Sequence, residues 1–182
     1  MTHVCARDIV NGLLLGTILF SIAPAQDRPL AVGYYPSWAK ATYPHTAVQY
    51  SCLTHIAHAF IFPNTDGTID LTGFTFYPEL IQAAHQHGVQ IVISVGGWDV
   101  DRTPRFSQMV KDSTARHRLV SGLKTFCMQN GYDGADIDWE YPAASDKPYS
   151  TQFFQELRDT FSTVSPPLLL SIAAPSGDWS NR

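Results

Sequence analysis

Positive charge is scarce in this chain and nowhere clustered: 12 Lys and Arg stand against 16 Asp and Glu, for a net charge of −4 at pH 7. No nucleic-acid partner is expected, because such a partner requires a basic face. Cysteine is rare as well, with three in 182 residues, which excludes a small scaffold stapled by disulfides. The 12 Gly and 12 Pro follow no period, and no internal repeat of roughly 20–50 residues appears. Collagen, coiled coil and solenoid architectures are thereby excluded. What is abundant is apolar surface: 45% of the residues are hydrophobic, enough for one domain with a real core.

No apolar run reaches the roughly 18 residues of a membrane span. The longest, Ile9 to Ile22 (IVNGLLLGTILFSI), has the length of a signal-peptide core, and Ala23-Pro24-Ala25 supplies a small-residue cleavage site before Gln26. Residues 1–25 are therefore expected to be a signal peptide, although Arg7 is offset by Asp8 and a buried core helix is the competing reading. The chain from 26 to 182 is expected to be secreted, extracellular and free of membrane contact. Cys5 would leave with the leader; Cys52 and Cys127 would either pair or pack as small buried side chains.

Beyond the leader, apolar runs of strand length recur at Ala31–Tyr35, Ile56–Phe62, Gln90–Val95, Gly134–Tyr141 and Leu168–Ala174. Helical patterns lie between most of them. Pro78–His87 puts Leu80, Ile81 and Ala84 on one face and stops at Gly88. Ser113 or Thr114 is expected to cap a helix that ends at Gly131, and Ser150 or Thr151 to open one carrying Phe153, Phe154, Leu157 and Phe161. His45 to Cys52 suggests one short helix. The alternation predicts an α/β fold with parallel strands, either a doubly wound sheet or a (β/α)8 barrel, and periodicity does not choose between them. The spacing of about 34 residues per unit would need on the order of 270 residues for a TIM barrel, so this chain would be an incomplete barrel of about five strands.

The most informative segment is Asp133–Pro142, DGADIDWEYP. In an extended strand Asp136, Asp138 and Glu140 share one face, while Ile137 and Trp139 share the other. Neighbouring acids about 6.6 Å apart would repel by about 2.5 kcal/mol at an effective dielectric near 20. They cannot all be ionised at neutral pH, and Glu140, at the C-terminal end where barrel active sites form, is expected to keep a proton. A solvated acidic surface is disfavoured by Ile137 and Trp139. A divalent-metal site is disfavoured because the spacing is not that of a calcium loop and no paired His is present. No metal and no cofactor are expected.

Asp133, Asp136, Asp138 and Glu140 match the D-x-x-D-x-D-x-E signature of glycoside hydrolase family 18, the chitinases and related endo-N-acetylglucosaminidases. Ser94-Val95-Gly96-Gly97-Trp98 resembles that family's S-x-G-G motif, Gly33-Tyr34-Tyr35-Pro36-Ser37-Trp38 its first strand, and His58-Ala59-Phe60 its second. The resemblance covers about residues 30 to 175, and implies a partial catalytic domain over 26–182. It implies a substrate-assisted retaining hydrolysis of β-1,4-linked N-acetylglucosamine polymers, chitin first, in which Glu140 is general acid and base. By the same resemblance Asp138 orients the acetamido nucleophile, Asp136 shares a proton with Asp138, and Tyr34 and Ser94 support Asp136. Asp133 would be structural. Phe60, Gly97, Trp98 and Tyr141 would border the sugar site, with core packing as the alternative for the aromatics. Trp38 could line a distal subsite, and His58 is taken as a satisfied interior histidine. The family's later Met-x-Tyr and Trp motifs are not in this sequence. The resemblance therefore implies a fragment, or a chain with little activity alone; a complete version is expected to be a monomer. The alternatives are a chitinase-like lectin without turnover, or a hydrolase acting on N-glycans or peptidoglycan.

Overall fold

The computed structural model describes residues 29–175; the expected signal peptide lies outside them. The elements in chain order are β1 (Val32–Pro36), β2 (His55–Pro63), β3 (Ile69–Asp70), α1 (Pro78–Gln86), β4 (Gln90–Gly96), α2 (Pro104–Met109), α3 (Ser113–Asn130), β5 (Gly134–Asp138), α4 (Lys147–Phe161) and β6 (Leu169–Ile172). Five parallel strands lie side by side in the order β1-β2-β4-β5-β6, and β3 adds only a short antiparallel pairing to β2. This order settles what periodicity left open. In a doubly wound sheet the chain reverses direction from a central strand, whereas here each parallel strand joins the same growing side, which is how a barrel wall is built.

The strands carry two different faces. Tyr35, Ile56, Ile91, Ile93, Val95, Ala135 and Ile137 face the helices and join Leu80, Leu119, Leu123, Phe153, Leu157 and Phe161 in one buried cluster. The opposite face carries Tyr34, Ser94, Asp136 and Ser171, with Ser94, Asp136 and Ser171 in register across three neighbouring strands. An apolar outer layer thus presses the sheet onto its helices and leaves the inner wall free for polar groups.

Several boundaries differ from the sequence reading. Asp112, not Ser113 or Thr114, caps α3, its carboxylate accepting from the N–H groups of Thr114 and Ala115. The helix α4 starts at Lys147, before Ser150, because Pro148 stands in its first turn, where the missing N–H costs nothing. His45–Cys52 forms two separate 3₁₀ turns. β5 stops at Asp138, so Glu140 belongs to the following loop rather than to the strand. Cys52 is exposed and Cys127 buried, both as free thiols; Cys127 donates to the Gly134 carbonyl at 3.3 Å, and burial pushes its thiol up to about 12. Among the described residues no helix is long and apolar enough to cross a membrane.

Candidate active site

Asp136 is the anchor of the inner wall. Tyr34 Oη and Ser94 Oγ donate to its Oδ2 at 2.9 and 2.8 Å, and Ser171 Oγ donates to its Oδ1 at 2.7 Å. The donors come from β1, β4 and β6, so three strands converge on one carboxylate. Three hydroxyls pointing inward engage it as an acceptor. Burial and the charges of Asp136, Asp138 and Glu140 push the Tyr34 phenol up, which keeps its donor proton in place.

Asp138 stands one step further along the same face and is only 4% exposed. Its carboxyl is pushed up to about 7, first by burial, then by the charges of Glu140 and Asp136, and by a hydrogen bond to the Glu140 side chain. Burial thus favours the proton-bearing form of Asp138, which lies deeper than the partly exposed Glu140. The other carboxyl oxygen, Oδ1, is buried and unpartnered.

Glu140 is aimed by what flanks it. Trp139 is buried with its ring stacked on Phe106 at 5.2 Å and 12°, fixing the chain just before the acid to α2. Glu140 and Tyr141 line a cavity of about 340 Å³ together with Trp98, Asp99, Val100, Thr103 and Ser107. Trp98 is 70% and Tyr141 41% exposed, so core packing is not their role. Phe60 is half-buried on the other side, with ring centroids 6.1 Å from Tyr34 and 6.4 Å from Trp38. Gly97 joins the two halves. Its N–H donates to the Asp138 carbonyl at 2.7 Å, its φ is +89°, and a Cβ there would lie 2.9 Å from the Phe60 ring.

Two predicted residues lie away from this cluster. Asp133, at the base of β5, accepts from Ile91 N–H at 2.7 Å and contacts His85 Nε2 at 2.9 Å, a strand-to-helix tie. His58 faces the helices, where its Nδ1 meets Tyr132 Oη at 2.8 Å while Nε2 has no partner. It is interior but only half satisfied, and burial lowers it to about 4, so it is neutral. Sequence reasoning missed Ser171, whose inward position follows from its register with Asp136, and Asp146, discussed below. Among the described residues no group of three His, Cys, Asp or Glu could hold a metal ion.

The family model for glycosyl hydrolases family 18 matches residues 31–182. The chain belongs to this family. Family 18 relatives cover most of it: a chitinase-like effector of Moniliophthora roreri is 31% identical over 157 residues, 80% of this chain and 38% of the relative. An immunomodulatory active chitinase from Trichuris suis superposes with a TM-score of 0.69 at 29% identity, covering 78% of this chain and 42% of the other. The second catalytic domain of the Ostrinia furnacalis Group II chitinase, a mutant solved with (NAG)5, has a TM-score of 0.67 at 28% identity, covering 79% and 42%. The chain therefore spans less than half the length of these family 18 relatives. The five parallel strands correspond to an incomplete (β/α)8 barrel.

Proposed function

We propose that this protein binds β-1,4-linked N-acetylglucosamine polymers, chitin first, and cleaves them with retention at the anomeric carbon. The observation that carries this reading is the buried Asp138, whose raised carboxyl favours the proton-bearing form, beside Glu140 in a cavity rimmed by Trp98 and Tyr141. Passing that proton along their hydrogen bond makes Glu140 an acid and Asp138 a carboxylate in one step. Glu140 then protonates the glycosidic oxygen as the C–O bond breaks, and the sugar's own acetamido oxygen attacks the anomeric carbon to form an oxazolinium ion. Asp138, now anionic, accepts the acetamido N–H and balances the new positive charge. Glu140 next removes a proton from water, which attacks the same carbon from the face the leaving group vacated.

Asp136, fixed by Tyr34, Ser94 and Ser171, stands beneath Asp138. Trp98, Tyr141 and Phe60 offer ring faces to the apolar faces of the sugars. No cofactor enters the scheme. The apolar leader supports a secreted protein that meets its polysaccharide outside the cell.

The test is incubation of the purified chain with a chitin oligomer, with products followed by mass spectrometry and their anomeric form by NMR. Shorter β-anomer products are expected, and Glu140→Gln should reduce turnover by about 100-fold or more while leaving binding. Equal turnover in Glu140→Gln would remove the role given to Glu140. The likeness to a chitinase-like effector favours a second reading in which the site binds the oligomer without turning it over. Saturable binding by the wild-type chain with no product would select it.

A further inference from the structure

We propose that Asp146 is a positioning residue for the loop from Trp139 to Asp146, locking that loop onto α2 so that Glu140 and Tyr141 keep their aim into the cavity they share with Trp98. This rests on the functional reading above. Asp146 is wholly buried, yet its side chain makes no capping bond to α4, whose first turn it precedes. Its carboxylate is engaged elsewhere. Oδ2 accepts from Ser107 Oγ at 2.6 Å and from Ala143 N–H at 3.1 Å, and Oδ1 pairs with Lys111 Nζ at 2.8 Å.

These partners connect two elements 39 residues apart in sequence. Ser107 belongs to α2 and itself lines the cavity beside Glu140 and Tyr141. Its neighbour in α2, Phe106, is the residue on which Trp139 stacks. The loop is thereby fastened at both ends to consecutive residues of one helix, by a ring stack before Glu140 and by a charge-assisted hydrogen bond after Tyr141. The same helix is tied to the loop bearing Trp98, because Thr103 Oγ, at its start, donates to the Gly97 carbonyl at 2.9 Å. The acid and the aromatic wall opposite it are thus referenced to one rigid element, the arrangement a site needs to hold a substrate in one pose. Burial alone would raise the Asp146 carboxyl, but Lys111, Ser107 and Ala143 N–H outweigh it and hold it below the usual range.

The test compares wild type, Asp146→Asn and Lys111→Met by hydrogen exchange without ligand and by affinity for N-acetylchitotetraose, each at a temperature where circular dichroism shows the chain folded. Both variants should speed exchange of the 139–146 amides by about tenfold while β4 and β5 keep their rates, and should weaken the sugar by about tenfold. If Asp146→Asn does not fold, Lys111→Met, whose side chain is 44% exposed, decides. Loop exchange within twofold of wild type, or a rise shared equally by β4 and β5, overturns the proposal. A wild-type chain that binds no sugar overturns the functional reading instead, and the exchange comparison still decides the anchor.

Discussion

Ser171 Oγ donates to Asp136 Oδ1 at 2.7 Å, which ties the last described strand to the first member of the acid row. Ser171→Ala leaves that carboxylate oxygen buried with one donor fewer. The expected cost is about 1–2 kcal/mol in urea denaturation, similar to that of Ser94→Ala. Stability unchanged within error would mean that water replaces the serine and that β6 is not needed to hold the acid.

Asp138 gives a pH dependence of unusual sign. Its folded pKa is about 7 against an ordinary value of 3.8, so between those values the folded state binds the extra proton. Its contribution is full below about 4 and declines as pH rises through 7. Asp138→Asn, which mimics the neutral acid, should therefore be more stable than wild type at pH 8, by up to about 4 kcal/mol. The gap should close towards pH 4. Denaturation curves at the two pH values check this, and a gap independent of pH would remove the proton from Asp138.

His58 acts in the opposite direction. Burial lowers it from 6.5 to about 4, so the unfolded chain takes up a proton that the folded chain refuses. Stability from this residue is present above pH 6.5 and falls as pH drops to about 4, by up to about 3 kcal/mol. His58→Leu should lose less than wild type between those pH values. Parallel stability curves for the two proteins would show that His58 is not the group that resists protonation.

Gly134 permits a close approach of β6 to β5. A Cβ at this position would lie 2.1 Å from the Leu169 carbonyl oxygen, backbone that cannot turn aside. Gly134→Ala is expected to cost about 3 kcal/mol or more in thermal or urea unfolding, by forcing β6 away from β5. The variant should also weaken sugar binding, since β6 carries Ser171. Wild-type stability would mean that the strands separate without penalty.

The strands and most helices were legible because their apolar residues recur at the periods of buried elements: Ile91, Ile93 and Val95 on β4, or Leu119, Leu123 and Cys127 on α3. The acid row was legible because alternation in a strand puts Asp136 and Asp138 on one side. Pairwise repulsion treats the acids as equals, so it carries no sign that burial differs along the row and raises Asp138. The strand order was not legible, since local periodicity carries no record of which strands pair. The short helix α2 escaped because six residues with only Phe106 and Met109 buried show no period. With it escaped the Ser107–Asp146 contact, a meeting of two polar residues that only tertiary structure brings together.

The three hydroxyls on Asp136 reach it from β1, β4 and β6, the first and last of which are the outermost strands of the sheet. Tyr34 and Ser171 can meet at one carboxylate only if the wall is bowed, since a flat wall would carry its two margins out of range. The acid row is in this sense a gauge of curvature: slackening at either margin, far from any acid, is felt at the middle as a missing hydroxyl.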